Sequence, residues 1–239
     1  MADQQAPASS KRTELHMARS MCWHCQSEVQ GEYFCQQCVK VQPVAKDLDY
    51  FTCLGFPRKL VIDLHALEAK FYQMSRVFHP DFYHGKDDSE QSISLGNSAL
   101  VNVAYRTLKD PIQRAEYLLR LESGSAKDIR NSPPADLFEE ILALQDDLDA
   151  YREATETQAS NLQELRARLQ LGRESLEQRQ REIEGELVTL FAQWDALPEQ
   201  EASDTVLPQK EAVLRGIREV LSNRTYIHNI VDDLVTTLG

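Results

Sequence analysis

Apolar side chains recur at spacings of three and four from about residue 61 to the C-terminus, and little interrupts them. That period keeps a stripe on one face of a helix, whereas a half-buried strand would alternate. Leu64, Leu67, Phe71, Met74 and Phe78 make the first stripe. Val101, Ala104, Tyr105 and Leu108 make a second, and Ile112, Ala115, Leu118 and Leu119 a third. Further on, Leu137, Ile141, Leu144, Leu148 and Tyr151 step at four, three, four and three, a near-heptad seam. Leu162, Leu165 and Leu169 resume it, with Gly172 as a candidate break. Ile183, Leu187, Leu190, Phe191 and Trp194 follow, and a last helix is expected over about 209–237. With nine Gly and nine Pro in 239 residues, turns are few. The chain therefore reads as all-α, with an antiparallel three-helix bundle over 136–239.

The breaks between stripes divide the chain. His79-Pro80 stops the first helix, because Pro lacks the N–H and crowds the preceding turn. A polar loop follows through Gly85 and Asp87-Asp88, then a helix over about 90–108. Asp110-Pro111 reads as a cap followed by Pro at the first helical position. Residues 122–135, ending in Pro-Pro, form a linker, 198–208 a loop, and 43–56 a polar-to-aromatic connector. Residues 1–20 are polar, with no apolar core of a secretory signal and no basic amphipathic presequence. They read as a disordered leader on a cytoplasmic, bacterial protein. The remaining divisions are a module over 21–42, a helical domain over 48–121 and the bundle over 136–239.

Charge narrows the choice of partner. Residues 136–239 carry 22 acidic and 10 basic side chains, which accounts for the whole net charge of -12. Nucleic acid is an unsuitable partner for such a surface, since phosphate binding needs a basic one. No stretch approaches the ~20 apolar residues a bilayer span requires, so no membrane partner is expected either.

Four of the five cysteines form two C-x-x-C pairs, Cys22/Cys25 and Cys35/Cys38, separated by nine residues. Each pair closes a tight turn with both sulfurs on one side, and two such knuckles supply four thiolates to a tetrahedral ion. One zinc ion is the expected occupant, and iron in a rubredoxin-like site is the other metal this donor set accepts. Disulfides are disfavoured in a reducing compartment, and a redox pair would need a βαβ setting that is absent. His24 ranks below the cysteines as a ligand, and Cys53, between Phe51 and Leu54, reads as a small core residue.

The tripeptide His79-Pro80-Asp81 joins two amphipathic helices, and the second runs into NVAYRTLKDPIQRAEYLL. On these residues, with YFTCLGFP ahead of them, 50–121 resembles a J-domain, and the ending resembles the HscB branch of iron–sulfur cluster co-chaperones. The resemblance extends over roughly 22–239 and loosens beyond 136, where 152–185 hold extra length. It implies a J-domain helical hairpin and a client-binding bundle. It also implies that His79, Pro80 and Asp81 meet the ATPase domain of a DnaK/HscA-type chaperone, with positive charge from Lys70 and Arg76, aided by Arg58 and Lys59. The helix carrying Lys70 and Arg76 is less basic than in general-purpose J-proteins, which suggests a dedicated partner.

For the client, an iron–sulfur scaffold protein, the resemblance places Phe138, Leu142 and Asp146 on one face of the first bundle helix, with Tyr226 from the last. Four-residue steps keep the first three together, on a stripe offset from the core seam. Glu139, Ala143 and Ala150 depart from the family pattern. The alternative is a J-protein for a different client, with the bundle as a general adaptor. An enzyme is not expected: a four-thiolate site leaves no position for water, and no second His/Glu constellation or Gly-rich phosphate loop is present.

Overall fold

The computed structural model describes residues 20–29, 31–45, 47–123, 137–198 and 206–239. Residues 1–19 of the expected 1–20 leader, and most of the expected linker and of the 198–208 loop, lie outside them. The chain forms two compact units, one of residues up to Pro57 with His65–Arg106, the other of Arg58–Leu64 with Thr107–Gly239.

The first unit opens with two short antiparallel strands, β1 (Ser20–Met21) and β2 (Glu28–Val29), pairing Ser20 with Val29 and Met21 with Glu28. The expected connector contains a helix, α1 (Tyr50–Leu54). It is too short for periodicity to reveal, and its ends are set by caps. Asp49 accepts from the Thr52 N–H, and Gly55 closes the C-terminus at φ +73°, a conformation glycine adopts freely. α2 spans Leu64–Phe78 and buries Leu67, Met74 and Phe78, while Leu64 stays exposed. Phe71 is half-buried and stacks on Tyr105, with ring centroids 4.1 Å apart. α3 (Asp88–Lys109) supplies Val101 and Ala104 to the core.

In the second unit α4 (Pro111–Ser123) starts where the Asp110–Pro111 pair predicts. The Asp110 Oδ1 accepts from the N–H groups of Ile112 and Gln113 at 2.8 and 2.9 Å. The bundle consists of α5 (Phe138–Thr157), α6 (Leu162–Ala196) and α7 (Val206–Leu238). Ile141, Leu144, Leu148 and Tyr151 are buried, as the heptad seam predicts. Gly172 does not break α6. A Cβ there would stand 2.1 Å from Leu144 Cδ2, so the glycine lets α5 and α6 approach closely. Arg152–Asp233 and Arg168–Asp147 ion pairs tie neighbouring helices, and Arg166 donates to the Leu238 carbonyl near the end of α7.

The same unit grips residues 58–61. The Asp195 carboxylate accepts from the N–H groups of Leu60 and Val61 at 2.7 and 2.8 Å, and the Trp194 indole donates to the Arg58 carbonyl. Buried Arg114 donates to the carbonyls of Leu60 and Leu108. Burial lowers its pKa from the ordinary arginine value, opposed by the charges of Asp110 and Asp195. A buried guanidinium satisfied by backbone carbonyls fixes this segment more firmly than apolar contact alone.

Candidate functional site

The four cysteines fold as two copies of one turn, thirteen residues apart. Cys22 N–H donates to the Ser27 carbonyl, and Cys35 N–H to that of Lys40. Inside each loop, Gln26 N–H donates to the Cys22 carbonyl, and Val39 N–H to that of Cys35. Gln26 and Val39 both take the left-handed conformation, at φ +60° and +59°. For a β-branched residue such as Val39 that is strained backbone, held because the turn has to bring its sulfurs to one side.

The ligand atoms of Cys22, Cys25, Cys35 and Cys38 all lie within 4.8 Å of one another. Cys22 and Cys38, and Cys25 and Cys35, stand 3.6 Å apart, sulfur to sulfur. A tetrahedron of ~2.3 Å metal–sulfur bonds has edges of about 3.8 Å, so the spacing suits one metal ion. The Ser27 hydroxyl pulls the Cys35 thiol down to about 6, whereas burial pushes Cys38 up to about 12. Cys53 is buried outside the cluster, as expected of a core residue, with burial raising its thiol to about 11. The cluster is a four-cysteine group able to hold one metal ion.

The knuckles are built onto the helical hairpin. Tyr33 meets Phe78 edge-on, centroids 5.2 Å apart, and its hydroxyl reaches the Met74 sulfur. Lys40 Nζ binds Asp87 at 2.8 Å and Glu90 at 2.5 Å. Asn97 accepts from the Val44 N–H and donates to the Gln42 carbonyl, while the Gln42 side chain reaches back to the Cys22 sulfur. The contacts therefore fall on both sides of the 79–87 loop. Sequence reasoning missed Tyr33, Lys40 and Gln42, which precede the first helix, and Asn97 within α3, because a tyrosine, a lysine and two amides outside the apolar stripes carry no periodic signal.

His79, Pro80 and Asp81 sit on that loop, all exposed. His79 is extended, at φ -61° and ψ 125°, as a residue preceding proline should be. Its Nδ1 accepts from the Asp81 N–H, capping a 3-10 turn over Pro80–Tyr83. Tyr83 turns inward, is buried and donates to the Val77 carbonyl at 3.0 Å. The turn is thereby pinned from beneath while the His-Pro-Asp edge faces solvent. On α2, Arg76 is exposed and Lys70 half-buried.

In the bundle, Phe138, Leu142 and Asp146 lie exposed on one face of α5, Phe138 by 53% and Leu142 by 50%. Tyr226 is half-buried. It lines a groove of about 200 Å³ between α5 and α7, with Leu144, Leu148, Ile230 and Leu234 forming its apolar walls. Gln145, three residues beyond Leu142, lies at the same groove. The exposed stripe and the groove thus meet along α5. Among the described residues, no helix is long and apolar enough to cross a membrane.

No family model matches the chain. It is 36% identical to the co-chaperone protein HscB of Proteus mirabilis over 112 residues, covering 46% of this chain and 65% of that protein. It is 36% identical over 105 residues to the iron–sulfur cluster co-chaperone HscB of Mus musculus, covering 42% and 45%. The Arabidopsis thaliana HscB homologue matches at 32% over 149 residues, covering 62% and 57%. The chain thus spans about half to two thirds of the length of these curated relatives. Among solved structures, human HscB superposes with a TM-score of 0.65 at 22% identity, covering 91% of this chain and 98% of that one. HscB from Vibrio cholerae gives 0.55 at 22% identity, covering 79% and 96%. These two establish the all-helical fold, and the sequence matches carry the kinship. With its four-cysteine cluster at the N-terminal end, this chain is a homologue of the HscB iron–sulfur cluster co-chaperones.

Proposed function

We propose that this chain is a co-chaperone that stimulates the ATPase of a DnaK/HscA-type chaperone and delivers to it an iron–sulfur cluster scaffold protein. The observation that carries the reading is the His79–Pro80–Asp81 edge, exposed on a turn pinned by Tyr83. A fixed, solvent-facing Asp81 can form a charge-assisted contact with a chaperone arginine in one nucleotide state and not another. Lys70 and Arg76 supply the steering charge. Domain boundaries at 21–42, 48–121 and 136–239 organise the work: metal module, chaperone contact, client contact. Zinc is the metal we assign to Cys22, Cys25, Cys35 and Cys38, since it suits four thiolates and adds no redox chemistry. Iron is the alternative that elemental analysis would reveal. The ion's role would be to hold the two knuckles together, a structural one. Four unpaired thiols suit a reducing compartment, in keeping with a cytoplasmic protein.

The test is ATP hydrolysis by the organism's DnaK-type chaperone. Wild-type protein should accelerate it, and Asp81→Asn should not, at unchanged thermal stability. Equal stimulation by the two proteins would overturn the reading.

For the client, Phe138, Leu142 and Asp146 with Tyr226 form the surface we assign. Phe138→Ala with Tyr226→Ala should weaken scaffold binding roughly tenfold or more, the scale of aromatic hot spots, with helicity retained. Loss of the bundle fold instead would make these residues packing. A second reading, an adaptor for a different client, draws on Glu139, Ala143 and Ala150, which depart from the family pattern. A scaffold protein that fails to co-purify with the full chain would favour it.

A further inference from the structure

The 3-10 turn that displays the signature tripeptide also displays Phe82, 67% exposed. A lone exposed aromatic is ordinary on a protein surface. This one is placed by construction. In a 3-10 turn, residues three apart eclipse, so Phe82 stands on the same edge as His79. Their ring centroids are 6.0 Å apart, in an edge arrangement. The Phe82 N–H donates to the His79 carbonyl at 3.0 Å, and Tyr83 is fastened inward at the next position. The turn therefore sorts its two aromatics, one into the core and one beside the signature histidine. A surface that engages His79 and Asp81 has to lie against Phe82.

The charge pattern says why an aromatic belongs there. α2 contains only two Lys or Arg residues, Lys70 and Arg76, and no Lys or Arg follows Asp81 until Lys86. Long-range attraction to an acidic partner is correspondingly weak, and attraction of that kind acts mainly on encounter. Affinity then has to come from short-range burial, to which a preordered phenyl ring contributes at little entropic cost. On α2, Tyr72 is also exposed, by 55%, and lies one turn before Arg76 on the same face.

We propose that Phe82 is an apolar contact residue for the DnaK/HscA-type chaperone, forming with His79 a continuous surface that sets affinity for that partner, while Asp81 sets the response. This rests on the co-chaperone reading above. The experiment is a titration of the organism's DnaK-type chaperone with full-length protein, reading steady-state ATP hydrolysis for midpoint and plateau. Phe82→Ala should raise the half-maximal concentration roughly tenfold or more with the plateau unchanged. Asp81→Asn should abolish the plateau. Phe82→Lys separates burial from charge: it should weaken the midpoint at least as much as Phe82→Ala, whereas an electrostatic interface would tighten. Thermal melts of both variants should match wild type, since the side chain is solvent-facing. If wild type stimulates and Phe82→Ala has the same midpoint, or if Phe82→Lys tightens it, the role of Phe82 is overturned and the co-chaperone reading stands. If wild type fails to stimulate, the co-chaperone reading falls and this proposal with it.

Discussion

The cysteine-bearing unit and the bundle unit are stabilised in opposite ways. In the first, two cysteine knuckles and a helical hairpin meet through single-copy contacts: Tyr33 on Phe78, Lys40 on Asp87 and Glu90, Asn97 across Gln42 and Val44. In the bundle, stability is spread along Ile141, Leu144, Leu148, Leu165, Leu169, Leu176, Ile183 and Leu187, each doing nearly the same thing. The first arrangement fixes geometry at a particular loop and is vulnerable to the loss of one group. The second tolerates substitution but depends on how closely its helices approach. Chaperone contact is assigned to the first and client contact to the second. A loop that must present three residues in one geometry suits specific struts, and an extended docking face suits a repeated seam.

The largest effect should come from losing the proposed metal ion. Structural zinc contributes on the order of 10 kcal/mol to folding of modules this small. Cys22→Ser with Cys25→Ser, or chelation, should therefore unfold residues 21–42. Sequence alone suggests that the hairpin core is separate and would be indifferent. The Tyr33, Lys40 and Asn97 contacts indicate otherwise: the hairpin should remain helical but open more readily around residues 79–87. Hydrogen exchange is the measurement. Faster exchange over 79–97 with unchanged protection over 141–191 would sharpen the contrast between units. Uniform loosening of both would break it.

What the sequence made legible follows from this contrast. The seam of α5, the Asp110–Pro111 start of α4 and the doubled C-x-x-C all repeat or punctuate, so they could be read. The outward stripe of Phe138 and Leu142 was legible as apolar residues out of phase with the core. The clamp on residues 58–61 was not, because Arg114 and Asp195 act across 54 and 135 positions of sequence. α1 was missed because five residues cannot display a helical period. Gly172 was misjudged for a physical reason: in sequence a glycine weakens a helix, yet close packing against Leu144 requires one.

That glycine provides the second test. Gly172→Ala gains roughly 1 kcal/mol of helix propensity. It also forces a methyl against Leu144, and overpacking of this kind costs about 1–3 kcal/mol. We expect net destabilisation of the bundle by about 1 kcal/mol or somewhat more. Chaperone stimulation should be unaffected. Gly172→Ala combined with Leu144→Ala should show strong coupling, since the second change makes room for the first. A neutral single mutant would mean the helices adjust, and the bundle's dependence on close approach would be weaker than the geometry indicates.

The smallest effect concerns the strut at Lys40 and has a defined pH signature. Asp87 uses one oxygen to cap α3, accepting from the Glu90 N–H at 2.9 Å, and the other to bind Lys40. The Lys40 ammonium, then the Glu90 N–H, hold its carboxyl down at about 2, below the usual carboxylate value. Because the folded pKa lies below the unfolded one, the contribution is fully present above about pH 4 and is lost as pH falls through about 2. Lys40 itself is raised above its usual value by Asp87 and Glu90, so its side of the pair would be lost only in strong alkali. The Asp87 side chain is 44% exposed, so water and salt screen the pair and the effect on stability should be modest. Lys40→Met isolates it. At neutral pH the variant's hairpin unit should melt slightly below that of wild type, and the gap should narrow with added salt. It should close as pH falls from about 4 to about 2. Proton-driven loss of the proposed ion would also close the gap, by unfolding the module that carries Lys40, so metal content is read at each pH and only points with the ion retained report on Asp87. A gap that persists at pH 2 would assign Lys40 a packing role through its alkyl chain, and one strut of the cysteine module would then be apolar rather than ionic.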